Sequence, residues 1–222
     1  MEYYSVPVKE VVERYKKLYT GIVSDAMDKL GMREHLLPIY LRPIQPEMVV
    51  AGPAFTGEGR LVDDVNNNDN QIRFAMLESI QPYDVPVWQA NDDGHCAEWG
   101  GMMTRSTRQG GGTGAVIDGG VRDVNDILSQ GFPVFTKYYS AGSSLGRWEI
   151  VSYQKPIVVG GITVNPGDFI FGDVDGLLAV PKDQVVAVLE RAEEMAARED
   201  KMTADLGEGM GIRAAYDKYG VI

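Results

Sequence analysis

Residues 114–123, with the sequence GAVIDGGVRD, constrain the fold more than any other stretch of this chain. Their first half is a continuous apolar run, which is typical of a strand covered on both faces. Gly119 and Gly120 follow and predict a turn, since glycine tolerates positive φ and lets a ligand approach the backbone. Arg122 and Asp123 come next, at the carboxyl end of the strand, where open α/β sheets bind ligands. The spacing alone is equally compatible with Asp123 as the N-cap of a following helix beside a surface arginine.

A second glycine-containing stretch, residues 91–101, follows a predicted strand at 84–90 and precedes a predicted helix at 102–109. The first amide groups of a helix lack internal partners and carry partial positive charge, so this turn is a candidate site for a carboxylate or a phosphate. Gly100 and Gly101 would let a ligand lie against the backbone. Most such glycine pairs bind nothing, so the pattern by itself is weak.

Composition excludes several classes of protein. The single cysteine, Cys96, rules out an internal disulfide and fits a reducing, cytoplasmic location. No apolar run approaches the roughly 20 residues of a membrane helix, and the N-terminus does not resemble a secretory signal. The net charge of −11 argues against nucleic-acid binding, whereas an acidic protein still attracts a metal ion.

Periodicity predicts an α/β protein. Strands are expected at 49–56, 84–90, 114–118, 132–137, 168–172 and 177–180, with a hairpin at 156–164 that turns at Gly160-Gly161. Helices are expected at 8–19, 24–30, 71–80, 102–109 and from Pro181 to about residue 206. The polar segment 63–70 is predicted to be a loop. The two aspartates of 173–176 are interpreted as turn chemistry rather than as metal ligands.

The segment Asp-Gly-Gly-Val-Arg-Asp at 118–123 resembles the signature of the RraA-like superfamily. That superfamily contains divalent-metal-dependent aldolases of 4-hydroxy-4-methyl-2-oxoglutarate and 4-carboxy-4-hydroxy-2-oxoadipate, and also regulators of ribonuclease E. Residues 20–30, 52–56 and 167–181 are similar to other parts of the family, so the resemblance covers roughly 18–205. It implies a central β-barrel or sandwich, similar to the swivelling β/β/α domain and surrounded by helices. A single domain at 1–206 would carry a C-terminal arm at 207–222, which is expected to contact a neighbouring subunit.

The resemblance also implies chemistry. Asp123 would bind Mg2+ or Mn2+, and Arg122 would contact the keto oxygen of a small 2-oxo acid. Backbone groups at the helix start would hold the substrate's carboxylate; these residues are Gly100, Gly101, Met102 and Met103. The reaction would be retro-aldol cleavage of a 4-hydroxy-2-oxo acid to pyruvate, with decarboxylation of oxaloacetate as a side activity.

One position departs from the aldolase pattern, which has an acidic residue where this chain has Gly101. Glu98, three residues earlier, and His95 are the candidates to replace it. Their alternative interpretations are a first-turn carboxylate beside the helix dipole and an ordinary loop residue.

Two further hypotheses remain open: a non-catalytic regulatory or binding protein of RraA type, and different chemistry on the same scaffold. Asp123 favours an enzyme, because the regulators lack this aspartate, whereas Gly101 weakens that hypothesis. The family resemblance also implies a homotrimer or hexamer. In such an assembly Glu199, on the long helix, is a candidate acid for a neighbouring subunit's site.

Overall fold

The computed structural model of the chain describes residues 3–64, 66, 70–91 and 94–220. Residues 65 and 67–69 of the predicted polar loop lie outside the described residues. So do residues 92 and 93 of the 91–101 stretch, and residues 1, 2, 221 and 222 at the ends.

The described residues form a curled, open sheet surrounded by helices, which confirms the predicted α/β fold class. The strands are β1 Arg42–Pro43, β2 Val50–Leu61, β3 Val85–Gln89, β4 Ala115–Val121, β5 Val134–Tyr139, β6 Trp148–Tyr153, β7 Ile157–Val159, β8 Ile162–Val164, β9 Phe169–Gly172 and β10 Leu177–Val180. A separate hairpin consists of β7 and β8. The strand order of the main sheet is β1-β5-β4-β3-β2-β9-β10, and β6 pairs with the far end of β2.

Helices surround this sheet. They are α1 Val8–Tyr15, α2 Thr20–Lys29, α3 Gln71–Glu78, α4 Gly101–Gln109, α5 Val124–Ser129, α6 Val185–Gly207 and α7 Ile212–Tyr219. One hydrophobic cluster joins α1, α2 and α6 to β9 and β10, and a second joins α3 and α5 to β3, β4 and β6. Among the described residues, no helix combines the length and the apolar composition that crossing a membrane requires.

A third cluster fills the inside of the curl. Successive side chains of a strand point to opposite faces, so Val116 joins this inner cluster whereas Ile117 belongs to the outer one. The hairpin β7–β8 covers the inner cluster, and both glycines of its turn have positive φ, as predicted. The segment before β1 links the two edges of the sheet: the Leu37 amide donates to the Leu177 carbonyl at 3.0 Å, and Arg42 pairs with Thr136.

The predicted turn at Gly119 and Gly120 is wrong. Both residues lie inside β4, and neither has a positive φ. Glycine is needed there for space: a Cβ on Gly119 would lie 2.5 Å from Glu98 Oε2, and one on Gly120 would lie 2.4 Å from the Cys96 carbonyl oxygen. A loop therefore presses directly on the end of this strand.

Other boundaries also differ from prediction. The long helix begins at Val185, because residues 181–184 form a turn in which the Gln184 amide donates to the Pro181 carbonyl. β2 continues to Leu61, and β6 was not predicted. The predicted arm forms α7, which folds back on α6 of the same chain through buried Met202 and Ala215. A role for it between subunits stays a prediction.

Candidate active site

The parallel strands β2, β3, β4 and β5 bring their carboxyl ends to one edge of the sheet. Arg122 and Asp123 follow β4 directly and precede α5, so they are delivered to this edge. The chain that leaves β3 returns across the same edge before it enters α4. In this segment Trp99 forms an isolated β-bridge with Val121, and Ala97 forms an isolated β-bridge with Ser143. Three segments distant in sequence thus meet at the predicted ligand-binding edge.

Asp123 does not act as a side-chain cap. It occupies the N-cap position of α5, but its side chain makes no capping hydrogen bond, and its φ of 58° and ψ of 33° are left-handed. That conformation costs about 1–2 kcal/mol for a residue with a side chain, although Asp tolerates it better than most. The carboxylate is turned instead toward α4, where the Gly101 amide donates to Asp123 Oδ2 at 3.2 Å. The local structure therefore favours a functional carboxylate over the helix-cap interpretation.

Arg122 lies beside this carboxylate but does not form a close ion pair with it. Its Nε is 3.7 Å from Asp123 Oδ2, and both side chains are close to half exposed, at 43% and 46%. Backbone hydrogen bonds fix the position of the pair, since the Arg122 amide donates to the Trp99 carbonyl at 3.0 Å. Gly100 lets the loop come this close, because a Cβ there would lie 2.8 Å from Asp123 Oδ2.

Position 101 is a glycine because a carboxylate from α5 occupies the space that a side chain would need. A Cβ at this position would lie 2.0 Å from Asp126 Oδ2, so Asp126 occupies the space that a side chain at 101 would need. Asp126 binds Arg105 through two contacts of 2.6 and 2.5 Å, and the hydrogen bonds from this guanidinium lower the pKa of its carboxyl. The space belonging to the missing acid is therefore filled by an ion pair between α5 and α4.

A cavity of about 240 Å³ opens beside the Arg122–Asp123 pair. Among the predicted site residues, it is lined by Gly100, Met102, Met103, Arg122 and Asp123. Gly101 and Asp126 line a neighbouring surface depression that also reaches Asp123. The cavity is completed by Asn70, Arg73, Ala97, Trp99, Ser143, Ser144, Leu145, Trp148 and Glu149.

Besides Gly101, three predicted residues do not line this cavity. Glu98 is fully buried beneath the loop, where its Oε2 accepts from the Gly120 amide and its Oε1 accepts from the Cys96 thiol at 3.2 Å. His95 is exposed on the loop. Glu199 lies on the exposed side of α6 and accepts a hydrogen bond from the Tyr19 hydroxyl. The structure of a single chain leaves the proposed role of Glu199 in a neighbouring subunit as a prediction.

Sequence reasoning missed two charged residues that line the cavity. Arg73 projects from α3, and its Nη1 donates to Ser144 Oγ at 3.3 Å. Glu149, on β6, accepts from Arg60 Nη2 at 2.7 Å. Arg73 did carry a sequence signal, because it is the single cation in the otherwise mostly apolar helix QIRFAMLE. Glu149 carried none, since β6 itself was not predicted.

The Asp123 carboxylate suits a hard divalent cation whose remaining ligands are water and substrate oxygens. Both protein contacts of the Asp123 carboxylate involve Oδ2, which leaves Oδ1 without a protein donor in the described part of the chain. Mg2+ characteristically keeps several waters and binds one or two carboxylates together with substrate oxygens. In the described ranges no group of three or more His, Cys, Asp and Glu side chains is placed to enclose a metal, so a closed structural site is not formed there.

The chain belongs to the RraA-like family, described as Aldolase/RraA, whose sequence pattern matches residues 20–179. It is 29% identical over 210 residues to a protein of Halalkalibacterium halodurans named "Putative 4-hydroxy-4-methyl-2-oxoglutarate aldolase", covering 94% of this chain and 95% of that protein. It is also 28% identical over 197 residues to protein DlpA of Legionella pneumophila, covering 89% of this chain. The chain spans about a third, 32%, of the length of DlpA.

Solved structures share this fold. An uncharacterized protein from Pseudomonas syringae pv. tomato aligns with a TM-score of 0.86 and 27% identity, covering 99% of this chain and 98% of that one. RraAS2 from Streptomyces coelicolor, described as an unusual member of the RNase ES inhibitor RraA protein family, aligns with a TM-score of 0.76 and 23% identity. That alignment covers 93% of this chain and 100% of the other, and at this identity it shows the fold alone. The predicted RraA-like fold is confirmed.

Proposed function

We propose that this protein is a lyase that cleaves a 4-hydroxy-2-oxo acid to pyruvate and a carbonyl compound, with decarboxylation of oxaloacetate as a side activity. One observation carries the proposal: Arg122 and Asp123 face a single cavity at the carboxyl end of β4, against the first turn of α4. A cation, a carboxylate and the first amides of a helix are groups suited to binding a 2-oxo acid substrate.

In this proposal, groups of the chain bind the substrate and stabilise the enolate. The amides of Met102 and Met103 at the start of α4 hold the C1 carboxylate, and the Gly101 amide is shared between it and Asp123 Oδ2. Arg122 donates to the keto oxygen at C2. A base takes the proton of the 4-hydroxyl, and the C3–C4 bond breaks. Its electron pair forms the enolate of pyruvate, whose negative charge Arg122 stabilises. Protonation of the enolate at C3 then completes pyruvate.

Asp123, with waters and substrate oxygens, would hold Mg2+ or Mn2+, since hard oxygen ligands suit both ions. When bound, such an ion withdraws charge from the 2-oxo acid oxygens. The alignment to a protein named "Putative 4-hydroxy-4-methyl-2-oxoglutarate aldolase" supports the lyase proposal.

Three residues are candidates to accept the 4-hydroxyl proton. Glu98 and His95 are the candidates from the sequence, and neither lines the cavity. Glu149 adds a third candidate, because its carboxylate lies on the cavity wall although Arg60 also binds it. The variants Glu98→Gln, His95→Gln and Glu149→Gln distinguish the three candidates, because loss of the true base changes the pH profile of turnover.

The proposal is tested by measuring pyruvate release from a panel of 4-hydroxy-2-oxo acids, before and after chelation of divalent ions. The expected result is release that depends on Mg2+ or Mn2+, together with release of pyruvate from oxaloacetate. Absence of release from every substrate, by a folded protein supplied with either ion, would contradict the lyase assignment.

The filled space at Gly101 favours a second candidate, a regulatory or binding protein of RraA type. Such a protein would keep the cavity but lack turnover. It is distinguished by calorimetric binding of 2-oxo acids without any pyruvate release.

We also infer that the protein works as a homotrimer or hexamer in which Glu199 reaches a neighbour's site. Light scattering at enzymatic concentrations tests the assembly, and an active monomer would contradict it. Glu199→Gln tests the role of the acid through turnover.

A further inference from the structure

Arg73 is a cation on the cavity wall that makes few contacts with the described residues. It is largely buried, and its Nε has no hydrogen-bond partner. Its recorded contacts are the 3.3 Å hydrogen bond to Ser144 and the ring of Trp148, whose centroid lies 5.4 Å from the guanidinium carbon. No carboxylate lies within ion-pair distance of Arg73 in the described part of the chain. A buried guanidinium with an unsatisfied donor is costly unless an anion completes it.

The electrostatic surroundings point the same way. Burial lowers the pKa of Arg73, the nearby Cys96 and Glu98 act in the opposite direction, and the charge of Arg122 lowers it further. Arg73 and Arg122 line the same cavity, so two guanidinium groups repel each other across a small volume. A ligand that places an anionic group near each arginine would relieve this repulsion.

The two arginines also stand in different surroundings. Arg122 lies beside Asp123 and the first turn of α4, where the proposed function places the 2-oxo acid end of a substrate. Arg73 lies with Ser144 and Trp148, on segments that come from α3 and from residues 144–148. A ligand that fills the cavity therefore extends from one guanidinium toward the other.

We propose that Arg73 is a specificity-determining residue that binds a carboxylate at the end of the substrate remote from the 2-oxo acid group. This assignment rests on the proposed function for the position of the 2-oxo acid end. The planar guanidinium would donate Nε and one Nη to the two oxygens of that carboxylate, a geometry that lysine does not reproduce. Ser144 would keep the side chain in place, and Trp148 would support its face.

Two ligands of similar length test the proposal: 2-oxoglutarate, which has a remote carboxylate, and 2-oxopentanoate, which lacks it. Neither has a 4-hydroxyl, so neither undergoes retro-aldol cleavage, and calorimetry measures binding alone with Mg2+ present. The wild-type protein should prefer 2-oxoglutarate by roughly 10-fold to 100-fold. Arg73→Gln should reduce this preference to within about threefold by weakening 2-oxoglutarate binding alone.

Two variants serve as controls. Arg191→Gln removes an equal charge from the exposed face of α6 and should keep the wild-type preference. Arg73→Lys keeps the charge and the stem over Trp148, so it should fold even where Arg73→Gln does not. Because it loses the planar fork, it should show an intermediate preference.

The assignment is overturned if Arg73→Gln or Arg73→Lys keeps the full preference, if both ligands weaken equally, or if the wild-type protein shows no preference. It is separable from the lyase proposal. A wild-type protein that shows the Arg73-dependent preference but releases no pyruvate from any 4-hydroxy-2-oxo acid refutes the lyase proposal and supports Arg73 as the anion-binding residue.

Discussion

Two arginine–aspartate pairs lie on either side of the first turn of α4, and they differ in geometry. Arg105 and Asp126 form a closed pair with contacts of 2.6 and 2.5 Å, whereas Arg122 Nε stays 3.7 Å from Asp123 Oδ2. Exposure does not separate them, since the side chains are 51% and 35% exposed in the first pair and 43% and 46% in the second. The closed pair uses its hydrogen-bonding groups internally, and the open pair keeps groups available for a ligand.

The backbone makes the same distinction. Asp126 lies within α5 in ordinary helical surroundings, whereas Asp123 holds a left-handed conformation that turns its carboxylate toward the cavity. Strained non-glycine residues concentrate at functional sites, where the surrounding structure holds them in place. We therefore propose that the Arg105–Asp126 pair supports the structure and that the Arg122–Asp123 pair carries the chemistry.

The largest expected effect separates the two arginines by turnover. Arg122→Lys keeps the charge but loses the planar fork, so kcat for pyruvate release should fall by roughly 10²–10³, as on loss of an oxyanion donor. Arg105→Lys is the matched control and should leave kcat within about threefold of the wild type, since it contacts no proposed substrate group. Steady-state kinetics at saturating metal gives the comparison, and equal losses in both variants would remove the distinction.

A smaller effect concerns the space that Asp126 takes from position 101. Gly101→Asp should destabilise the fold by about 1–3 kcal/mol, because its Cβ would overlap the Asp126 carboxylate. The double variant Gly101→Asp with Asp126→Ala should recover much of this loss, since the new carboxylate would lie near Arg105. Denaturant unfolding of the wild type and the three variants, Asp126→Ala included, measures the coupling. Additive effects would show that the two positions do not compete.

The smallest expected effect concerns Asp84, whose carboxylate accepts hydrogen bonds from uncharged groups. Burial raises the pKa of Asp84 from 3.8 to about 6, and it accepts from the Gln81 amide and the Tyr3 hydroxyl. A raised folded-state pKa means that its contribution to stability is present below about pH 4 and lost as the pH rises through about 6. The Tm of Asp84→Asn should therefore rise relative to that of the wild type between these pH values, and the difference should then level off. A difference that does not vary with pH would contradict burial as the cause of the raised pKa.

Much of the fold was predictable because the strands are locally encoded. The apolar run before Asp118 forms β4, and the glycine pair at 160–161 forms the hairpin turn, each from local patterning. The glycines of β4 were misassigned because their reason is tertiary: Glu98 and Cys96 approach from a loop more than 20 residues away. The start of α6 was misplaced because a proline fits a turn as well as a first helical position.

The site divides in the same way. Arg122, Asp123 and the glycines at 100–101 were predictable, because each lies at the end of a strand or at the start of a helix. Arg73 and Glu149 reach the cavity from α3 and β6, and only the folded sheet brings them there. The filling of the space at Gly101 by Asp126 depends on the contact between α4 and α5, which no local pattern predicts.

The most direct test of the two-pair account is Mn2+ binding by Asp123→Asn and Asp126→Asn, followed by titration of activity with the same ion. The account predicts that Asp123→Asn weakens Mn2+ binding and lowers turnover, with partial recovery at high Mn2+, because one of the ligand charges is lost. Asp126→Asn should bind Mn2+ as the wild type does. Weakened binding in Asp126→Asn together with unchanged binding in Asp123→Asn would contradict the assignment of chemistry to the open pair.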